Sequence, residues 1–151
     1  MTEPTIAIES PDQPDVKTMF EEARALYINN YPDGRNRLPT IAELSQPDTL
    51  FWVVRENGRA IGCGALTRHD GWAEIKRMYV VVDSRRRNIG ALILDTIEDY
   101  AEKTNIPVVR LETGERQSAA ISLYRSRGYK SRGPFGDYAD ADNCLFMEKQ
   151  L

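Results

Sequence analysis

The sequence predicts an α/β fold: an α+β mixed sheet with helices on its faces. Three observations carry this. Strand-like and helix-like periodicities alternate along the chain, two Asn/Asp-Gly pairs tie consecutive strands into a meander, and the helical stretches between strands are amphipathic. The chain has 151 residues, 41% hydrophobic and 28% charged. That is enough to bury a core and too apolar for a disordered chain. One domain over residues 1–151 is expected.

Residues 5–9 alternate, with Ile6 and Ile8 turned inward, and read as a strand. Residues 12–31 place Val16, Met19, Phe20, Ala23, Leu26 and Tyr27 at helical spacing. Pro14 falls in the first turn, where a missing N–H costs nothing. Residues 31–39 hold Pro32, Gly34 and Pro39 and read as a loop. A short helix over 40–45 follows, with Thr40 and Glu43 spaced as a capping box. Residues 50–55, 59–68 and 72–82 read as three strands. Asn57-Gly58 offers the positive φ angles of a two-residue hairpin turn, and Asp70-Gly71 a second turn of that kind. Residues 83–88 are polar and turn-like. Residues 89–103 are helical, with Ile89, Ile93, Ile97 and Tyr100 on one face. A strand over 107–113, a helix over 117–127 capped by Gly128, and strands over 129–132 and 143–149 complete the chain. The element order is β-α-α-β-β-β-α-β-α-β-β.

Composition excludes several functions. The net charge is −3 and the isoelectric point about 5.3, against a basic nucleic-acid groove. No apolar run approaches the ~20 residues that span a bilayer, and the N-terminus lacks signal-peptide character. A cytoplasmic protein without nucleic-acid or membrane partners is expected. Cys63 and Cys144 have no metal-ligand spacing, so free thiols and no metal are expected. His69, beside the second turn, reads as an exposed hairpin residue.

The strongest local signal is Arg85-Arg86-Arg87-Asn88-Ile89-Gly90-Ala91, between a strand and a helix. Turn-prone residues let backbone approach a ligand, and unpaired N–H groups at the helix start make an anion site suited to phosphate or diphosphate. Three arginines add attraction and bidentate contacts. A solvated basic turn is the competing reading. No GxxxxGK[ST] nucleotide loop is present. Gly62 and Gly64 sit inside a strand, where they mark a bulge or close packing rather than a dinucleotide fingerprint.

At this point the sequence resembles the GNAT superfamily of acetyl-CoA-dependent N-acetyltransferases. The family signature Q/R-x-x-G-x-G/A reads here as Arg85-x-x-Asn88-x-Gly90. Downstream, Gln117-x-x-Ala120-x-x-Leu123-Tyr124-x-x-x-Gly128-Tyr129 is similar to the family's N-x-x-A-x-x-L-Y-x-x-x-G-F. Leu111-Glu112-Thr113-Gly114 and the ending from Pro134 through Tyr138 to Lys149 resemble a bacterial subgroup. Two positions depart from the pattern. Asn88 replaces Gly but tolerates positive φ, and Gln117 replaces Asn with the same amide one methylene further out.

The resemblance implies a GNAT acyl-CoA N-acyltransferase fold with acetyl-CoA as co-substrate. It implies a bulge that splays one strand from its neighbour, so that Met78, Tyr79 and Val80 offer free backbone groups to the pantetheine arm. Residues Arg85, Arg86, Arg87, Asn88, Ile89, Gly90, Ala91, Gln117 and Tyr124 complete the cofactor-binding set.

Acetyl transfer needs a neutral amine. With a pKa near 10.4, the free base at pH 7 is about one part in a few thousand, worth roughly 4 to 5 kcal/mol. Glu74, mid-strand and alternating with Lys76, is the candidate base; a cross-strand ion pair is its structural alternative. Tyr124 is the candidate acid for the departing sulfur, against a plain core role. Candidate acceptor residues are Tyr31, Arg35, Arg37, Arg77 and Tyr138. An Arg would hold a carboxylate, whereas Asp137, Asp140 and Asp142 would draw a polyamine or a lysine side chain. The expected acceptor is the primary amine of a small or amino-acid-like molecule, acetylated by direct transfer. A non-catalytic acyl-CoA sensor and a protein or peptide acetyltransferase are the alternatives, and a homodimer is left open.

Overall fold

The computed structural model describes residues 3–30, 38–136 and 144–151. In order, these form β1 (Thr5–Ile8), α1 (Pro14–Asn30), α2 (Ile41–Leu44), β2 (Thr49–Glu56), β3 (Arg59–Arg68), β4 (Ala73–Val80), α3 (Ile89–Lys103), β5 (Val108–Gly114), α4 (Ser118–Ser126), β6 (Lys130–Arg132) and β7 (Cys144–Gln150). A 3-10 turn at Val82–Ser84 links β4 to the segment before α3. The order of elements is the one expected. The seven strands form one mixed sheet, β1-β2-β3-β4-β5-β7-β6, in which only β4 and β5 run parallel. Among the described residues no helix is long and apolar enough to cross a membrane.

Each sheet face has its own covering helix. On one, α3 buries Ile89, Ile93 and Ile97. It lies so close that a Cβ on Gly64 would come 2.7 Å from Ile93 Cγ2, and one on Gly62 3.2 Å from Ile89 Cγ2. The two glycines therefore admit the helix, as close packing required. Trp52 meets Tyr100 edge-on at 5.6 Å on this face. On the other face α1 buries Val16, Met19, Phe20 and Ala23, and Phe20 meets Phe51 edge-on at 5.9 Å. The capping box of α2 forms as expected.

Two expectations need correction. Ile8 is 53% exposed, because β1 is a four-residue edge strand paired only with β2; Ile6 alone packs on the core. The two hairpin turns also differ. Asn57 and Gly58 both take positive φ (51° and 78°), but at the second turn only Gly71 does (84°), and the His69 N–H donates to the Trp72 carbonyl at 2.8 Å. At the second turn Gly71 alone supplies the left-handed residue, which leaves Asp70 outside the positive-φ region.

Candidate active site

The site begins with a defect in β4. On the β5 side, β4 is paired only through Ala73↔Val109, Glu74↔Arg110 and Ile75↔Leu111. On the β3 side, Cys63 faces Tyr79 and Ala65 faces Lys76, so Arg77 and Met78 together oppose Gly64. That is a β-bulge, with Arg77 at φ +56°. The buried Cys63 thiol, pushed up to about 12 by desolvation, donates to the Arg77 carbonyl at 3.1 Å. The bulge turns β4 away from β5, as the resemblance implied. A cleft of about 230 Å³ opens there, lined by β4 residues 74–79, Arg85, residues of β5, Gln117 and Tyr124, with α1 across from them.

Glu74 lines this cleft and is 4% exposed. Its Oε1 lies 4.0 Å from Lys76 Nζ and 3.8 Å from His69 Nε2. His69 is thus more than a hairpin residue: it stacks on Trp72 with ring centroids 4.0 Å apart and faces Glu74. The tight turn brings positions 69 and 72 together, a signal available in the sequence.

Tyr124 is 6% exposed and donates to Met78 Sδ at 3.7 Å. Burial, then the Glu112 carboxylate, raises its phenol well above the ordinary value, so it holds its proton at neutral pH. The Tyr79 hydroxyl donates to the Glu22 carboxylate, which also accepts the Val82 N–H at 3.3 Å. Burial and Glu22 together raise the Tyr79 phenol. Glu22 went unnoticed in sequence because it lies on the polar side of an amphipathic helix.

The three arginines separate. Arg85 lines the cleft, its Nε donates to the Val80 carbonyl at 3.0 Å, and its guanidinium sits 5.4 Å from the Tyr79 ring centroid. Arg87 instead pairs with Glu56, Nη1 to Oε1 at 3.0 Å. Arg86 and Asn88 both take left-handed φ, 63° and 61°, and Asn88 leads into α3. The N–H groups of Ile89, Gly90 and Ala91 in the first turn have no carbonyl four residues back within the helix. A Cβ on Gly90 would lie 3.3 Å from Leu123 Cδ2, so Gly90 seats α4 against α3. Gln117 opens α4 at the cleft wall, its N–H held by the Gly114 carbonyl at 3.0 Å. Of the acceptor candidates, Arg77 lines the cleft. Tyr31, Arg35, Arg37 and Tyr138 lie outside the described residues, as do Asp137, Asp140 and Asp142.

Residues 16–129 match the model of the Acetyltransferase (GNAT) family. The chain belongs to the GNAT family. It is 41% identical over 149 residues to an IAA acetyltransferase from Azospirillum brasilense, covering 97% of both chains. It is 36% identical to the N-acetyltransferase YsnE of Bacillus subtilis, over 90% of this chain and 91% of that one. Among solved structures, an acyl-CoA N-acyltransferase from Klebsiella pneumoniae superposes with a TM-score of 0.82 at 29% identity, covering 98% and 97% of the two chains. The PaiA N-acetyltransferase of Thermoplasma acidophilum in complex with coenzyme A shares the fold, with a TM-score of 0.72 at 22% identity over 97% of this chain and 99% of that one. The protein is an N-acetyltransferase that uses acetyl-CoA. Its own features fit that co-substrate: an opened strand edge on β4, then a left-handed turn delivering the N-terminus of α3. Among the described residues no group of three or more His, Cys, Asp or Glu is placed to hold a metal.

Proposed function

We propose that this GNAT enzyme acetylates the primary amine of a small or amino-acid-like acceptor by direct transfer, with Glu74 as base and Tyr124 as acid. One domain over residues 1–151, acting in the cytoplasm where its two free thiols are stable, would do this work. The observation that carries the reading is the opening of β4 after Ile75. It leaves Glu74 in the same register as Thr67, on the α1 side, while Met78 points to α3 and meets Tyr124. Base and acid thus approach one gap from opposite sides of the sheet.

Bound acetyl-CoA supplies the activated thioester. Glu74 takes a proton from the acceptor ammonium, directly or through one water, and His69 and Lys76 beside it steady the carboxylate. A backbone N–H on the opened edge of β4, near Val80, would donate to the acetyl oxygen. Tyr124 holds a phenolic proton ready for the sulfur. Arg85 and the first turn of α3 take the diphosphate.

The test is thiol release from acetyl-CoA over an amine panel, with mass detection of the N-acetyl product. Turnover of a small primary amine supports the proposal. Turnover confined to proteins or peptides overturns the small-molecule acceptor. Calorimetric titration with coenzyme A, using Arg85→Ala beside Arg87→Ala, tests the diphosphate site; the first should weaken binding more.

A further inference from the structure

We infer that Arg77 reads a carboxylate on the acceptor, so that the substrate is a zwitterion with its amine at Glu74 and its acid group at Arg77. This rests on the small-amine reading above and narrows it.

The bulge decides where Arg77 goes. Ile75 pairs with Leu66, on the face that Gly62 and Gly64 present to α3. Simple alternation would send residue 77 to that same face. The extra residue and the left-handed φ turn it to the other side instead, where its guanidinium lies 4.1 Å from the Phe20 ring of α1. The result is a half-buried cation on the wall of the cleft, on the same side as Glu74.

Arg77 also lacks what other half-buried arginines have. Arg55 is paired with Glu9 at 2.9 Å and Asp15 at 2.6 Å. Arg110 and Arg132 share Glu148 at 2.7 and 2.6 Å. Among the described residues Arg77 makes no ion pair, and its Nε is buried without a hydrogen-bond partner. A desolvated guanidinium with only an aromatic face beneath it is incompletely compensated. Burial accordingly lowers its pKa, against an opposing pull from Cys63.

The surroundings select the anion. Glu74 and Glu112 also line the cleft and would repel a doubly charged phosphate. Lys76 is 4.0 Å from Glu74, and Arg85 is engaged with the Val80 carbonyl. Arg77 is the half-buried cation of the cleft wall whose Nε has no hydrogen-bond partner among the described residues, and its planar fork suits the two oxygens of one carboxylate. Along the strand Glu74 and Arg77 are separated by about 10 Å of backbone or less, a span two converging side chains can close on one small zwitterion.

The test compares acids with their uncharged twins: the common amino acids, β-alanine and 4-aminobutyrate, each beside its carboxamide, at saturating acetyl-CoA. The best acid should exceed its amide by at least ~10-fold in kcat/KM. Arg77→Gln should lower the acid by ~100-fold, leave the amide nearly unchanged and so abolish the preference. Arg77→Lys should restore part of it, and the Kd for coenzyme A should stay constant in both. Equal rates for acid and amide in the unaltered enzyme would overturn the inference, as would Arg77→Gln lowering both alike. If Arg77→Gln does not fold, the acid-to-amide ratios of the unaltered enzyme and Arg77→Lys decide. Amides accepted as well as acids would sink the carboxylate alone. No turnover in either series, with coenzyme A still bound, would sink the small-amine reading itself.

Discussion

Between Ala73 and Ile75, β4 is paired on both edges, to β3 and to β5. Between Lys76 and Val80 the same strand keeps β3 but loses β5, carries a bulge, and lines a cleft. The first half spends its backbone groups on the sheet, and Ala73 and Ile75 are buried. The second half leaves one edge open for a ligand and turns Arg77 and Met78 to opposite faces. A strand can therefore be scaffold and site at once, because a single inserted residue changes both pairing and side-chain direction.

The sharpest way to break this comparison is Glu74→Gln, at the border between the halves. Acceptor kcat/KM should fall by ~10²–10⁴-fold at neutral pH. The deficit should shrink as pH rises toward the amine's pKa, because free base then forms without help. Parallel pH profiles for both proteins would remove Glu74 as the base.

Tyr124→Phe acts across the opened edge, where the hydroxyl meets Met78. It should lower kcat by ~10²-fold with little change in the Kd for coenzyme A. Equal turnover would return Tyr124 to a packing role.

Gly64→Ala probes the contact opposite the bulge. The new Cβ would fall 2.7 Å from Ile93 Cγ2, so ~1–3 kcal/mol of stability should be lost in urea unfolding. A loss near zero would mean that α3 is free to withdraw from the sheet.

The smallest effect concerns Arg55, the paired counterpart of Arg77. Hydrogen bonds and charge from Arg55 hold the Glu9 and Asp15 carboxylates below their ordinary values. Groups lowered on folding stabilise above their unfolded pKa and lose that contribution as pH falls through the folded one. Urea midpoints should therefore drop below about pH 4, the carboxylate range. Arg55→Met should flatten that limb at a cost of ~1 kcal/mol at neutral pH, modest because these side chains are partly solvated. An unchanged limb would show that the ion cluster is idle.

Much of the fold was legible in the sequence because its signals are local. The 89–97 isoleucine spacing gives α3, Asn57-Gly58 gives a turn with two positive φ angles, and Thr40 with Glu43 gives a capping box. The turn before α3 was legible too, since Asn88 takes left-handed backbone in place of the family's glycine. Other features left no such trace. Arg77 is a long, charged residue at φ +56°, which no propensity anticipates. Arg87 belongs to Glu56, 31 positions away, so a run of three arginines did not show which one faces the cleft. His69 reads in sequence as an exposed hairpin residue; the tight turn foreshadows its stacking on Trp72, whereas its approach to Glu74 is visible only in the folded chain.

By itself the sequence determined which segments are helix, strand or turn and in what order, because periodicity and turn chemistry belong to neighbours along the chain. It also supplied the two motifs that point to an acetyl-CoA enzyme. Only the tertiary structure decided that β7 enters between β5 and β6, that the opening of β4 from β5 begins after Ile75, and that Arg77 crosses to the α1 face with no acidic partner among the described residues. These outcomes depend on distant groups competing for the same backbone edges and the same charges, and that competition is settled only when the chain is packed.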